Sequence, residues 1–277
     1  MSGERNAATE PVGERIAKVM ARSGLCSRRD AEALIGAGRV AVDGRTLGEP
    51  GTRVLPGQKV TVDGTALPAA EPVRLFRYHK PLGVLTAARD PEGRRTIYDA
   101  LPQGLPRLMP IGRLDINSEG LLLLTNDGAL KRRLELPATG WLRRYRARAY
   151  GRIDDAGLKT LADGVTVDGV AYGPIQAKLD RQQGGNAWIS LSLREGRNRE
   201  VRRVLEHLGL QVNRLIRTAY GPFHLGALKD RGVEEVIPKV LKEQLGAKLL
   251  EGLAVPETGP AARRRTLTLK RAGEGPA

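Results

Sequence analysis

The chain has 277 residues with 46 Lys or Arg and 31 Asp or Glu, so its formal net charge at pH 7 is +15. This length is expected to give about two domains, and the charge favours a polyanion, above all nucleic acid, as the partner. The longest wholly aliphatic run spans only residues 121–124 and Cys26 is the single cysteine, which excludes a membrane-spanning helix and an internal disulfide.

Residues 1–13 are polar, show no periodicity and contain no apolar signal segment. We therefore predict a disordered tail on a cytoplasmic chain that does not associate with a membrane. The three histidines, His79, His207 and His224, lack the spacing of metal ligands. No metal and no cofactor are expected, and we expect a monomer.

Residues 14–64 are predicted to form a small unit of two helices followed by two strands. Apolar residues at helical spacing mark both helices, and the second begins at Ser27, where Asp30 completes a capping box. The strands are predicted near residues 39–42 and 59–62, and each is followed by an Asp-Gly turn.

The second helix begins with two cations, Arg28 and Arg29. The helix dipole disfavours positive charge in the first turn by about 0.3 to 1 kcal/mol per residue, so these arginines suggest a phosphate site rather than a gain in stability. A solvated charged face is the alternative. The order helix, Leu-Cys-Ser-Arg-Arg-Asp, helix, Gly-Arg-Val, Val-Asp-Gly resembles the S4-type RNA-binding domain over residues 14–64, which implies docking on structured RNA.

The remainder of the chain divides by composition. Residues 65–72 are rich in Pro and Ala and are predicted to be a linker. Residues 73–242 alternate strand-like with helix-like segments, among them a buried strand at 121–125. We predict that residues 243–277 form a basic C-terminal tail, which is disordered beyond Leu250 and carries Arg263, Arg264, Arg265, Lys270 and Arg271.

Residues 112–117 alternate apolar with polar side chains, so Arg113, Asp115 and Asn117 share one face of an extended chain. A carboxylate there lies beside a cation. From this pattern alone, Asp115 is more often a turn or surface residue. For Arg113, an ordinary surface ion pair is the alternative.

Four motifs together favour a functional role for Asp115 over a turn or surface role. They are HKPLGVLT at 79–86, GRLDINSEGLLLLTNDG at 112–128, RRYRARAYG at 143–151 and EGRNREVRR at 195–203. Their order resembles the RsuA/RluB branch of pseudouridine synthases over about residues 72–242, and the last motif resembles the RluB-like subgroup most. The resemblance implies an α/β (α+β) fold in which a mixed, largely antiparallel sheet is flanked by helices and follows a small S4-like RNA-binding domain.

The resemblance also implies a reaction, the isomerisation of uridine to pseudouridine in ribosomal RNA. Uridine and pseudouridine have the same atoms, so the reaction requires a carboxylate as nucleophile or base but no redox cofactor or metal. The family assigns that role to Asp115, and Arg113 would help to displace the uridine from its stack. The mechanism, by covalent attack or by proton abstraction at C2′, stays open.

Two further residues complete the predicted catalytic site. Tyr145 lies on the small-residue face of a strand, where plain core packing is the alternative, and the resemblance places it against the target base. Arg202 lies at the edge of the apolar stripe of a helix at 198–208, and the resemblance implies a salt bridge that keeps Asp115 charged. Glu119 is an additional negative charge near Asp115, and we expect it to point outward.

The predicted RNA contacts near this site are Arg197, Asn198, Arg199 and Arg203, although each alone is equally compatible with a solvated face. Arg214 and Arg217 show the same ambiguity. The expected substrate is large-subunit rRNA, free or in a pre-ribosomal particle. The alternatives are a small-subunit rRNA pseudouridine synthase and a non-catalytic ribosome-assembly factor. An RNA ligase or synthetase is excluded because the sequence has no phosphate-binding Gly-rich loop.

Overall fold

The computed structural model describes residues 13–257, and the chain divides into two units between Pro72 and Val73. The predicted terminal tails therefore lie outside the described residues except at their inner ends. Gly13, assigned to the N-terminal tail, is buried, and its carbonyl accepts a hydrogen bond from Arg53 at 2.6 Å. The first unit accordingly begins one residue earlier than predicted.

The first unit contains two helices and six short strands. They are β1 (Glu14–Arg15), α1 (Ile16–Arg22), α2 (Arg28–Gly36), β2 (Val40–Val42), β3 (Arg45–Thr46), β4 (Arg53–Val54), β5 (Val60–Val62) and β6 (Thr65–Ala66). The order β3-β2-β5-β6 forms an antiparallel sheet, and β1 pairs with β4. The apolar faces of α1 and α2 pack on this sheet in one core.

The helix cap and the turns of this unit form at the residues that the sequence predicts. The Ser27 hydroxyl accepts the Asp30 N–H at 3.1 Å while the Asp30 carboxylate accepts the Ser27 N–H at 3.2 Å, which forms the predicted capping box. The turns after β2 and β5 place Asp43 and Asp63 at positive φ, a conformation that Asp tolerates better than most residues. The predicted linker begins too early, because β6 pairs with β5 and Leu67 packs against the core.

The second unit contains eleven strands and five helices. They are β7 (Leu75–Lys80), α3 (Ile97–Ala100), β8 (Met109–Ile111), β9 (Glu119–Thr125), α4 (Gly128–Glu135), a 3₁₀ turn (Pro137–Thr139), β10 (Arg143–Tyr150), α5 (Asp155–Lys159), β11 (Val165–Val167), β12 (Val170–Tyr172), β13 (Ile175–Gln183), β14 (Asn186–Leu193), α6 (Glu200–His207), β15 (Gln211–Tyr220), β16 (Phe223–His224), β17 (Val233–Val236) and α7 (Pro238–Leu250).

The main sheet has the strand order β13-β14-β10-β15-β9-β7-β17, with β16 beside β15 and β8 beside β9. The pairing of β15 with β9 is parallel and the other pairings in the sheet are antiparallel. The mixed, largely antiparallel sheet is therefore confirmed. The parallel pair brings Gly120 opposite Arg217, where a Cβ on residue 120 would lie 2.4 Å from the Arg217 carbonyl oxygen, so only glycine fits.

Helices cover the sheet in three core clusters. α5 and α6 pack on one face of β10, β13, β14 and β15. α4 and α7 pack near β8 and β9, and α3 packs on the opposite face of β7 and β9. Every residue of β9 is buried, as expected for a strand in the middle of a sheet with both faces covered.

The second unit extends beyond the predicted end at Lys242. α7 continues to Leu250, and Leu245, Leu253 and Val255 pack against the core of α4 and β9. The Val73 N–H donates to the Ala254 carbonyl at 2.8 Å, so this segment also ties down the start of the unit. The five cations of the predicted basic tail lie outside the described residues. None of the helices within residues 13–257 is long and apolar enough to cross a membrane.

Candidate active site

The loop between β8 and β9, residues 112–118, carries Asp115, which is half-buried. Gly112 begins the loop at φ +67°, a left-handed conformation that suits glycine. Its N–H donates to the Glu135 carboxylate at 2.7 Å, and the Thr86 hydroxyl donates to the Leu114 carbonyl at 2.8 Å. Side chains from distant segments thus hold the loop by its backbone.

Three buried cations bind the carbonyl oxygens of the same loop. Lys80 is fully buried and donates to the carbonyls of Asp115 at 3.1 Å and Ser118 at 2.9 Å. Hydrogen bonds between a charged donor and a carbonyl are stronger than neutral ones. The ammonium group of Lys80 therefore fixes the backbone at Asp115.

The second buried cation is Arg217, which is 2% exposed. Its Nε donates to the Leu121 carbonyl at 2.7 Å, and one terminal nitrogen donates to the Arg113 carbonyl at 3.2 Å. One guanidinium therefore joins both ends of the segment that contains Asp115. The planar, rigid donor set of arginine suits such a bridge better than lysine does.

The third buried cation is Arg202 on α6, which is 6% exposed. It donates to the Val212 carbonyl at 2.8 Å and to the Asn117 carbonyl at 2.7 Å. Burial and the nearby charge of Arg199 lower the pKa of Arg202, whereas the charge of Asp115 raises it. Arg202 and Asp115 are thus electrostatically coupled.

The implied salt bridge between Arg202 and Asp115 is absent from the described part of the chain. The guanidinium is occupied by two backbone carbonyls, so it acts on the loop through Asn117 rather than on the carboxylate directly. A helical-wheel position identifies a semi-buried arginine, but it does not specify which acceptor the side chain reaches. That acceptor depends on tertiary contacts between α6 and a loop 85 residues away.

The prediction for Glu119 is wrong. Its side chain is 9% exposed and forms an ion pair with Arg214. Glu119 begins β9 opposite Ile216 of β15, which places it among strands rather than on a free turn. Pairing with a cation compensates the carboxylate for its lost hydration.

A cleft of about 460 Å³ opens above the loop. Its lining includes five predicted residues besides Asp115, namely Arg113, Tyr145, Arg197, Asn198 and Arg199. The lining also includes Glu135, Arg143, Glu200, Arg217 and Tyr220. The structure therefore brings a carboxylate, an aromatic ring and several cations into one cavity, which suits an anionic substrate with a flat base.

The other predicted RNA contacts lie elsewhere. Arg203 does not line the cleft and its guanidinium lies 3.5 Å from the Tyr172 hydroxyl. Arg28 and Arg29 are exposed in the first turn of α2, in the first unit. His79 has a structural contact, since its Nδ1 lies 2.9 Å from the Leu228 carbonyl oxygen.

Sequence reasoning missed Lys80 and left Arg217 undecided. Lys80 stands inside the HKPLGVLT motif, which was a usable signal, but a lysine in a strand pattern is normally exposed. Arg217 follows Leu215 and Ile216 in an apolar stretch, and its burial depends on the parallel pairing of β15 with β9, which residues near it in the sequence do not indicate.

Lys80 gives the site a pH dependence. Burial lowers its pKa to about 8, while the charges of Asp115 and Glu119 raise it and that of Arg217 lowers it. The rate of modification of bound RNA should therefore fall as the pH rises through about 8, because the neutral amine holds the Asp115 loop less well. The pKa of Lys80 is about 8 in the folded chain and near 10.5 in the unfolded chain, so the free energy of unfolding rises as the pH increases from about 8 to 10.5. Unfolding linked to Lys80 cannot produce the loss.

Single-turnover rates between pH 6.5 and 9 check this prediction. Lys80→Met should modify RNA slowly at every pH and should not show the fall in rate as the pH rises through about 8. Lys242→Met, which changes an exposed lysine of α7, should keep the pH–rate profile of the wild type. An alkaline limb that persists in Lys80→Met would assign the titration to another group.

Comparisons with known proteins agree with this geometry. A model of the RNA pseudouridylate synthase family matches residues 74–207, and a model of the S4 domain matches residues 14–65. An RNA pseudouridine synthase of Rickettsia felis is 45% identical over 230 residues, which cover 83% of this chain and 100% of that protein. The ribosomal large subunit pseudouridine synthase B of Escherichia coli K12 is 43% identical over 231 residues, covering 80% of this chain and 78% of that protein.

Among solved structures, a pseudouridylate synthase superimposes with a TM-score of 0.58 at 24% identity. The match covers 84% of this chain and 100% of that chain. At this level of identity the match establishes a shared fold.

Proposed function

The chain belongs to the family of RNA pseudouridine synthases, and we propose that it converts uridine to pseudouridine in ribosomal RNA, with Asp115 as the catalytic carboxylate. One observation carries the proposal. Asp115 is the half-buried carboxylate on a loop that three buried cations hold in place, at the floor of a cleft that also contains Tyr145.

The reaction explains why a rigid carboxylate is needed. The bond between C1′ and N1 of uridine breaks, the uracil turns, C1′ bonds to C5, and the C5 proton is lost as N1 gains one. A positioned carboxylate can attack C1′ or remove a proton from the ribose. Fixing Asp115 through its backbone holds it in a reactive position without using up the carboxylate oxygens.

The neighbouring residues have complementary roles. The uridine must leave its stack to enter the cleft. Arg113 is exposed at the rim, and we assign to it the displacement of the base and the filling of its place. Tyr145 lines the cleft and packs against two core clusters, so its ring is held well enough to stack on the extruded uracil. Arg197, Asn198 and Arg199 are exposed at the start of α6 and would contact phosphates.

The S4 domain at residues 14–65 supplies the docking surface. Arg28 and Arg29 are exposed at the N-terminus of α2, where the backbone N–H groups also favour phosphate.

We assign large-subunit rRNA as the target, which is supported by the identity to the Escherichia coli large-subunit enzyme. The side chains of one copy line the cleft, so a single chain is the proposed catalytic unit.

Mapping pseudouridines in rRNA from cells with and without the gene tests this function. We expect one site in large-subunit rRNA to lose the modification and to regain it when the wild-type gene, but not the Asp115→Asn gene, is restored. Loss of a site in small-subunit rRNA would contradict the target. Unchanged rRNA in the deletion strain, with binding retained by the purified protein, would favour the non-catalytic assembly factor.

A further inference from the structure

At β13, β14 and β10 the main sheet is covered by α5 and α6 on one face only, and within residues 13–257 no helix packs in a core cluster on the other face of these strands. On β10, Ala147 and Ala149 point into the core beneath α5 and α6, while Arg144, Arg146 and Arg148 are exposed. Successive residues of a strand point to opposite sides. The arginines therefore lie on the side of the sheet away from that core and away from Tyr145, which lines the cleft.

Neighbouring strands extend this surface. The strand register aligns Arg181 of β13, Trp188 of β14, Arg148 of β10 and Arg214 of β15 in one row. Four adjacent strands span about 14 Å. We call the surface the arginine face and define it by Arg144, Arg146, Arg148, Tyr150, Lys178, Arg181, Trp188 and Arg214.

The charge on this face is not balanced by the protein. Its carboxylates are Asp180, which pairs with Arg146 at 3.1 Å, and Glu119, which pairs with Arg214. Within residues 13–257, no carboxylate forms an ion pair with Arg144, Arg148 or Arg181. Arg148 lies directly opposite Arg214 across the strands, and like charges in that position destabilise a sheet. Folding alone does not account for this arrangement.

Aromatic side chains accompany the cations. The Arg146 guanidinium lies over the Trp188 ring, 4.6 Å from its centroid, a contact that orients the arginine. Tyr150, at the end of β10, is 59% exposed. Cations that follow a backbone together with exposed rings that stack on bases are the combination used to bind single-stranded nucleic acid.

We propose that the arginine face is a second RNA-binding surface, which binds a single-stranded segment of the substrate RNA on the side of the sheet away from the cleft. The arginine row contacts successive phosphates, and Tyr150 stacks on a base. The proposal rests on RNA as the substrate, but it does not depend on catalysis.

Binding of the full-length chain to a 12-nucleotide oligoadenylate tests the proposal, because this probe contains no uridine to modify. The triple variant Arg144→Gln/Arg148→Gln/Arg181→Gln should bind about tenfold more weakly. Its slope of log affinity against log salt should be shallower by about 2, since each phosphate contact on a single strand contributes about 0.7. Tyr150→Ala should weaken binding with little change in that slope.

The matched control, Arg107→Gln/Lys229→Gln/Lys239→Gln, removes the same charge from exposed positions elsewhere in the unit. Equal losses of affinity in both triple variants would mean that net charge alone causes the loss, which would overturn the proposal. Unchanged binding by the arginine-face variant would also overturn it. The melting temperature of that variant should not fall, since its substitutions relieve repulsion. Its rate at saturating rRNA should equal that of the wild type. If the wild type makes no pseudouridine while the binding loss persists, the proposed function fails and this inference stands.

Discussion

Asp115→Asn should abolish pseudouridine formation and change the affinity for rRNA by less than about tenfold. The substitution keeps the size of the side chain and removes the group proposed to react, while the phosphate contacts assigned to Arg197 and Arg199 remain. The loop should keep its conformation, because Lys80 and Arg202 bind its backbone carbonyls rather than the Asp115 carboxylate. Single-turnover assays and equilibrium binding on the same transcript measure both effects.

Glu119→Gln is the matched control for this experiment. It removes a negative charge four residues along the same segment, from a side chain that pairs with Arg214 and does not line the cleft. We expect its turnover to stay within about tenfold of the wild type, with some loss of stability from the unpaired arginine. Turnover by Asp115→Asn above a few per cent of the wild-type rate would remove Asp115 from the catalytic role.

The sequence predicted features that depend on near neighbours. The Ser27 and Asp30 cap, the Asp-Gly turns and the alternation of Tyr145 with exposed arginines each depend on residues a few positions apart. The order of the motifs also predicted which segments belong to the site, because it places Asp115, Tyr145 and the start of α6 in the pattern of one family. The structure adds that these segments meet at a single cavity.

Features that depend on strand order were not predictable in this way. Gly120 and Arg217 are adjacent only because β15 runs parallel to β9, across nearly a hundred residues of sequence. The same pairing buries Glu119 beside β15. At the C-terminus, composition placed the tail too early, because the apolar residues of α7 are separated by Lys and Gln. Packing on α4, rather than local composition, decides that this segment is ordered.

Arg202→Met should lower the rate of modification about 100-fold and also destabilise the fold. The variant leaves the buried Val212 carbonyl without this donor, at a cost of about 1 to 3 kcal/mol. The part-buried Asn117 carbonyl loses the same donor at a smaller cost, because Asn117 is exposed and water can replace the arginine. The Asp115 loop then loses one of its three cationic contacts, and small displacements of a reacting group have effects of this size on rate. Denaturant unfolding and single-turnover kinetics check the two effects separately.

Arg203→Met is the adjacent control, because Arg203 is half-buried and has only a 3.5 Å contact with the Tyr172 hydroxyl. Its stability should change by less than about 1 kcal/mol, and its rate at saturating RNA should remain near that of the wild type.

Combining Arg202→Met with Asp115→Asn separates two ways in which Arg202 can act. If the guanidinium acts through the Asn117 carbonyl, the two changes should be nearly additive in free energy of unfolding, with a coupling below about 1 kcal/mol. A coupling of 2 kcal/mol or more would mean that the carboxylate itself is the partner of Arg202 in solution.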